Sequence, residues 1–169
     1  AAEKARAHER ASLLTPIAKA FSTDIGIEVA SMGVQVHGGM GFVEETGAAQ
    51  HYRDARILAI YEGTNGIQAI DLVARKLSLS GGEAVRRLIA GLRATVQRVT
   101  KEGDERFGDT ASRLRDAVES LDRTTSHLLA ALRSNTPDTA LAGATPYLRL
   151  FGLAQGGAAL AEAALAAAS

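Results

Sequence analysis

The sequence predicts an all-α protein, and three features carry that reading. Alanine, leucine, glutamate and arginine, the strongest helix formers, are abundant. Aromatic residues make up only 4% of the chain and prolines number three, so strand-forming material is scarce and few points force a helix to stop. Apolar residues recur at spacings of three and four along most of the sequence, the period of helices that bury one face. A chain of 169 residues can bury one good core or two small ones.

Residues 1–10 mix both charges along helix-forming positions and lack the apolar stretch of a secretory signal, so they read as mid-protein sequence. Thr15-Pro16 predicts the start of a long helix, because a hydroxyl can cap free amides while proline sits where its missing N–H does no harm. Ile17, Phe21, Ile25, Val29, Met32 and Val36 then fall on one face as far as about Gly38, and that face is expected to be buried. Gly38, Gly39 and Gly41 end the helix, and a loop over residues 40–46 leads to a second helical stretch over 47–56. Residues 57–61 are an apolar run that fits helix or strand. Glu62-Gly63-Thr64-Asn65-Gly66 is a turn whose threonine can cap a helix through Ile67, Ile70, Val73 and Leu77, which puts Glu62 just ahead of a helix start.

The small-residue break at 78–82 predicts a division between a helical region at 1–77 and a second helical domain at 78–169. In the second, Val85, Leu88, Leu92, Val96 and Val99 mark one amphipathic helix. Leu114, Val118, Leu121, Thr125, Leu128 and Leu132 mark another, with a four-three alternation suited to antiparallel packing. A third follows Pro137, with Leu141, Leu148, Phe151 and Leu165 as its large apolar residues; Gly152, Gly156 and Gly157 would let another backbone approach. Pro146 either kinks this helix or restarts it behind Thr145.

Several function classes fit poorly. Lys plus Arg and Asp plus Glu number 19 each, so no net field draws the chain to nucleic acid. The absence of cysteine removes disulfides, thiolate metal sites and a thiol nucleophile, and suits a reducing compartment, so the cytoplasm is the expected location. The apolar stretch at 151–168 is interrupted by Gln155, two glycines and Glu162, and no membrane span is expected. His8, His37, His51 and His127 lack the paired spacing of a metal site, and none is expected. Gly39-Met40-Gly41 begins like a dinucleotide fingerprint, but Glu44 stands where its third glycine belongs and the preceding stretch is helical. On composition alone, Arg53, Asp54 and Arg56 are a salt-bridged helix face, and a glutamate such as Glu62 does no more than favour the helix dipole.

Three blocks in order change that weighting: Gln35-Val36-His37-Gly38-Gly39-Met40-Gly41-Phe42, then Tyr52-Arg53-Asp54-Ala55-Arg56-Ile57, then Ile60-Tyr61-Glu62-Gly63-Thr64-Asn65-Gly66-Ile67-Gln68. Together, across residues 15–77, they resemble the C-terminal signature of the acyl-CoA dehydrogenase family. Asp71-Leu72-Val73-Ala74-Arg75-Lys76-Leu77 and Thr145-Pro146-Tyr147-Leu148-Arg149-Leu150-Phe151-Gly152-Leu153 resemble the branch with an extra C-terminal helical domain, which includes 3-methylmercaptopropionyl-CoA dehydrogenases.

The resemblance implies an antiparallel helical bundle with a helical extension, and a role for each motif residue. Glu62 would remove a proton from the carbon next to an acyl-CoA thioester while FAD takes a hydride from the next carbon, giving a 2-enoyl thioester. Burial beside apolar substrate would raise the carboxylate's proton affinity, and the Glu62 N–H would help to stabilise the enolate. Gln35, Val36, His37, Gly38 and Gly39 would contact the adenosine diphosphate half of an FAD bound mainly by a neighbouring subunit. Thr64, Asn65 and Gly66 would also face the flavin, Tyr61 and Gly63 would line the acyl slot, and Arg53 with Asp54 would form a structural ion pair. Met40 departs from the commoner tyrosine, phenylalanine or asparagine, and Asn65-Gly66 from the frequent Ser-Glu.

The family's N-terminal helical and middle β-domains supply most flavin contacts, so this chain alone is expected to be inactive. The expected partners are an acyl-CoA thioester, with 3-methylmercaptopropionyl-CoA as the substrate the branch suggests, an acceptor such as electron-transferring flavoprotein, and further copies in a dimer or tetramer. An acyl-CoA oxidase would share the glutamate. A non-catalytic helical assembly module is the alternative from another class, and intact Glu62, Gly63 and Thr64 count against it.

Overall fold

The computed structural model describes residues 2–134 and 137–168, so the outer limits of the two expected regions, residues 1 and 169, lie outside it. The helices are α1 (Ala2–Val36), α2 (Gly39–Phe42), α3 (Ala48–Leu58), α4 (Asn65–Asp71), α5 (Glu83–Glu102), α6 (Thr110–Arg133), α7 (Pro137–Ala142) and α8 (Ala144–Ala168). Short 3-10 turns at Glu44–Thr46, Leu79–Gly82 and Glu105–Phe107 join them, and α4 runs on into a π-helical turn at Leu72–Lys76. No strand occurs among the described residues, so the fold is all-α.

The first helix does not start at Thr15-Pro16 but passes through it. Leu13, Pro16, Ile17 and Ala20 are all buried, so packing on both sides of the proline outweighs the backbone hydrogen bond it cannot donate. The Thr15 hydroxyl, free of any capping duty, donates back to the Ala11 carbonyl at 2.8 Å. The expected buried stripe also needs correction. Ile17 is sealed and Phe21 and Ile25 are half-buried, but Val29, Met32 and Val36 are 60%, 63% and 85% exposed, because α1 outruns the bundle. Of the other helices, α2 and α3 pack against α1, and Arg149 of α8 reaches it as far as Glu28. The loop expected at 40–46 contains two helical turns, and the next helix is shifted slightly, to Ala48–Leu58.

Thr64 caps α4 as expected, its hydroxyl accepting from the Ile67 N–H at 3.4 Å. Only part of the expected set, Val73 and Leu77, is buried. Ile67 and Ile70 are exposed, while Ala69, Leu72, Val73 and Leu77 are buried. Ala69, Leu72 and Val73 share one α-helical face, and the π-helical turn, in which Leu77 N–H donates to the Leu72 carbonyl five residues back, inserts one residue that brings Leu77 onto it. At the following break the chain reverses through left-handed residues Ser80, Gly81 and Gly82.

A continuous hydrophobic core nevertheless joins α1, α4, α5, α6, α7 and α8. The expected seams of α5 and α6 face it, with Leu88 and Leu132 at its edge. At the surface Arg93 bridges α5 to α6, reaching Glu119 Oε1 from Nε at 2.9 Å and Asp122 Oδ2 from Nη2 at 2.8 Å. Thr125 is the polar member of the α6 seam: it donates to the Leu121 carbonyl at 2.7 Å and accepts from the buried Tyr147 hydroxyl at 2.7 Å. Tyr147 packs edge-on to Phe151, ring centroids 5.8 Å apart.

Pro146 restarts rather than kinks the last helix. Gly143 separates α7 from α8, and Pro146 sits in the first turn of α8, where no intrahelical donor is needed. Gly152 admits an aromatic ring rather than another backbone, since a Cβ there would lie 2.3 Å from Phe21 Cγ. By length and composition α8 could cross a membrane, with a mean hydropathy of 1.3 over its most apolar window, although Tyr147, Leu148, Phe151, Ala154, Ala158, Ala161 and Leu165 face the core.

Candidate active site around Glu62

The turn that carries Glu62 is built by α3 ending and α4 beginning within a few residues. Tyr61 N–H still reaches the Ile57 carbonyl at 3.2 Å, and Asn65 N–H donates to the Ala59 carbonyl at 3.2 Å, which closes the loop around buried Ala59. Glu62 has φ 54° and Gly63 φ 85°. Glycine accepts the left-handed region freely, whereas a residue with a Cβ gives up on the order of 1–2 kcal/mol there. A strained glutamate in a cleft-like turn is the kind of residue that marks a functional site.

Side chains tie both carbonyls of this turn down. Glu62 O accepts from Gln68 Nε2 at 3.1 Å, and Gly63 O accepts from Lys19 Nζ at 2.7 Å. Lys19 also donates to Asn65 Oδ1 at 2.9 Å. The Asn65 amide in turn reaches Thr23 Oγ1 at 2.9 Å, Asp24 Oδ1 at 2.6 Å and the Ala20 carbonyl at 3.2 Å. Sequence reasoning misses Lys19, Thr23 and Asp24, and gives Gln68 no role beyond closing the third block. The signal available was the pair Lys19 and Thr23, one turn apart beside the apolar face of α1. Asn65, assigned by the resemblance to the flavin side, spends its side chain on α1.

Glu62, Gly63, Thr64 and Gly66 are exposed, and so are the apolar neighbours in sequence Ile60, Tyr61 and Ile67. Among the described residues nothing donates to the Glu62 carboxylate, and no carbonyl accepts from the Glu62 N–H. The chain thus presents its carboxylate on an open surface, among exposed apolar residues whose covering would desolvate it.

The Gln35–His37 stretch ends α1, with His37 Nδ1 2.9 Å from the Gly33 carbonyl. Gly38 has φ 60°, and a Cβ added at Gly38 or Gly39 would meet no atom within 4 Å, so the backbone there is bare. At a rise of about 1.5 Å per residue, this block lies roughly 20 Å along α1 from Thr23, beside the Glu62 turn. One chain therefore does not bring the two blocks together.

Arg53 does not pair with Asp54, since adjacent helix residues do not face each other. Its guanidinium grips Glu44 with two bonds of 2.9 and 2.8 Å, fastening α3 to the 3-10 turn before it. The hydrogen bonds from Arg53 hold the Glu44 carboxyl below the usual carboxylate range. No group of three metal-ligating side chains occurs among the described residues. An apolar cleft of about 550 Å³ lined by Phe107, Leu160 and Ala164 opens far from Glu62, at the other end of α8, and holds no titratable group but Arg106, which Asp104 neutralises.

Residues 1–77 match the family described as acyl-CoA dehydrogenase, C-terminal domain, and residues 88–169 the one described as acetyl-CoA dehydrogenase C-terminal like. The chain is 46% identical, over 97% of its length, to a 3-methylmercaptopropionyl-CoA dehydrogenase of Ruegeria pomeroyi, of which it covers 28%. It is 35% identical over 52% of its length to a butyryl-CoA dehydrogenase of Syntrophomonas wolfei, covering 14% of that protein. With the human mitochondrial short-chain specific acyl-CoA dehydrogenase it shares 41% identity over 36% of its length, covering 15%. The chain thus spans less than a third of the curated relatives it matches. With matches on both sides of the 78–82 break, the chain belongs to the acyl-CoA dehydrogenase family, as its helical C-terminal region.

Proposed function

We propose that this chain supplies the base of a flavin-dependent acyl-CoA dehydrogenase, with Glu62 removing the proton next to the thioester carbonyl. The observation that carries the reading is a glutamate held at φ 54° directly ahead of a capped helix, in a segment where Ile60, Tyr61 and Ile67 are exposed. A carboxylate is a weak base in water; covered by an acyl chain and the rest of the enzyme it loses solvation, and its proton affinity rises. The Glu62 N–H donates to the thioester oxygen as enolate charge develops there. Tyr61 and Gly63 border the acyl slot.

Acyl-CoA dehydrogenases are generally flavin-dependent, and FAD supplies the acceptor for the hydride from the β-carbon, leaving a 2-enoyl thioester. The residues present suit such a group: Gly38 and Gly39 offer bare backbone, and Gly66 at the start of α4 is open beyond Thr64. Gln35, Val36, His37, Gly38 and Gly39 would hold the adenosine diphosphate half, and Thr64 and Gly66 the other side, with Asn65, whose amide and N–H are bonded within the chain, holding the turn in place. Their separation by roughly 20 Å along α1 supports contact with two different flavins, one from each of two copies, in a homodimer or tetramer. Exposed Val29, Met32, Val36, Met40 and Phe42 are the surface such assembly would cover.

The substrate we propose is a short acyl-CoA such as 3-methylmercaptopropionyl-CoA, with electron-transferring flavoprotein as acceptor and the cytoplasm as location. The division at 78–82 marks two sequence units sharing one core, and α8 is a core helix rather than a membrane span. Glu62→Gln in the full-length enzyme tests the reading: it should keep the bound-flavin spectrum while acyl-CoA no longer bleaches it, a loss of about 10²–10⁴-fold. Bleaching at the normal rate would remove Glu62 from its role.

A further inference from the structure

A left-handed glutamate persists only where its surroundings leave no alternative, because relaxing to the right-handed or extended region would release strain. The atoms that over-determine this turn are few. Gln68 holds the carbonyl of Glu62, and Lys19 holds that of Gly63. A trans peptide keeps each carbonyl opposite the following N–H, so two carbonyls pulled toward α1 and α4 turn the Gly63 and Thr64 N–H groups the other way. Lys19 is the central anchor: half-buried on α1, it donates both to Gly63 O at 2.7 Å and to Asn65 Oδ1 at 2.9 Å, locking the turn to a helix that is itself sealed in the core at Leu13, Ile17 and Ala20.

We infer that Lys19 is a positioning residue for proton abstraction: it touches neither substrate nor flavin, but by holding the Gly63 carbonyl it fixes where the Glu62 carboxylate stands. The inference rests on the reading of Glu62 as the base. A carboxylate displaced by about 1 Å would still sit in its cleft, yet would lose the alignment that makes proton transfer fast. The defect therefore falls on the chemical step rather than on binding.

The test uses full-length, flavin-loaded enzyme and acyl-CoA under anaerobic conditions. Lys19→Met should keep the flavin-to-protein ratio and slow bleaching by about 10- to 100-fold, with KM changed less than about threefold. Lys19→Arg, which restores a cationic donor, should recover most of the rate. Gln68→Leu, which frees the other carbonyl, should slow bleaching in the same sense and serves should Lys19→Met fold poorly. Independently of activity, amide hydrogen exchange over residues 62–68 should quicken about tenfold or more in Lys19→Met while α5 and α6 stay unchanged. If Lys19→Met and Gln68→Leu both bleach at the wild-type rate while Glu62→Gln does not, the positioning role is overturned and the base assignment stands. If Glu62→Gln itself bleaches normally, the base assignment falls first.

Discussion

From Leu13 to Ala20, α1 is sealed against α4, α5 and α8, whereas from Val29 to Val36 the same apolar stripe stands in solvent beside α2 and α3. The two halves have one periodicity and opposite surroundings. What differs is enclosure: the first half is covered by α4, α5 and α8 together, whereas α2 and α3 leave Val29, Met32 and Val36 of the second in solvent. Apolar spacing therefore marks a face without recording what covers it, and the assembly proposed above would cover the second half. The Glu62 turn sits between the two regimes, anchored through Lys19, Thr23 and Asp24 to the sealed half and open on its other side.

The widest gap between the halves should appear in unfolding. Leu13→Ala leaves a cavity in the core and should cost this chain about 2–5 kcal/mol by urea denaturation. Met32→Ala on the exposed half should change it by less than about 0.5 kcal/mol. Equal losses would break the comparison. In the full-length protein the ranking should shift, with Met32→Ala weakening assembly measured by sedimentation at falling concentration.

Smaller effects sharpen the picture of the sealed side. Gly152→Ala drives a Cβ into the Phe21 ring and should cost about 1–3 kcal/mol through forced repacking. Thr125→Val leaves the buried Tyr147 hydroxyl without its acceptor, again about 1–3 kcal/mol. Burial raises the Tyr147 pKa above its ordinary 10.0, against the hydrogen bond with Thr125, which lowers it. The unfolded chain thus releases that proton first, so stability should fall as pH rises above about 10 in wild type. A melting temperature flat through that range would contradict the burial.

The smallest effect belongs to the exposed ion pairs. Hydrogen bonds from Arg149 and Arg93 hold Glu28 and Glu119 below the ordinary 4.5. Depressed carboxylates contribute above their unfolded pKa and lose the contribution as pH falls through the folded one, so any loss should lie below about 4.5 and shrink with salt.

The residues whose partners follow from local spacing are the legible ones. The α6 seam from Leu114 to Leu132 and the Thr64 cap follow from local spacing, and both stand as read. Pro16 misled because local chemistry favours a helix start there, while the core contacts of Leu13 and Ile17 favour continuity. The π-helical turn after Asp71 has no local signature, so the spacing from Ile67 and Ile70 to Val73 and Leu77 does not disclose that Ala69 and Leu72 face inward instead of the two isoleucines. Arg53 was paired with its sequence neighbour because Glu44, nine residues back, becomes its neighbour only once the 3-10 turn folds. The motif around Glu62 was visible as a sequence pattern, but the Lys19 clamp depends on a contact across 44 residues that no local pattern encodes.

The most direct test of Glu62 as the base is exchange of solvent deuterium into the α-carbon of acyl-CoA, followed by mass spectrometry on the full-length flavoprotein under anaerobic conditions. Wild type should incorporate deuterium at that carbon and Glu62→Gln should not. Undiminished incorporation by the folded, flavin-loaded variant would contradict the account.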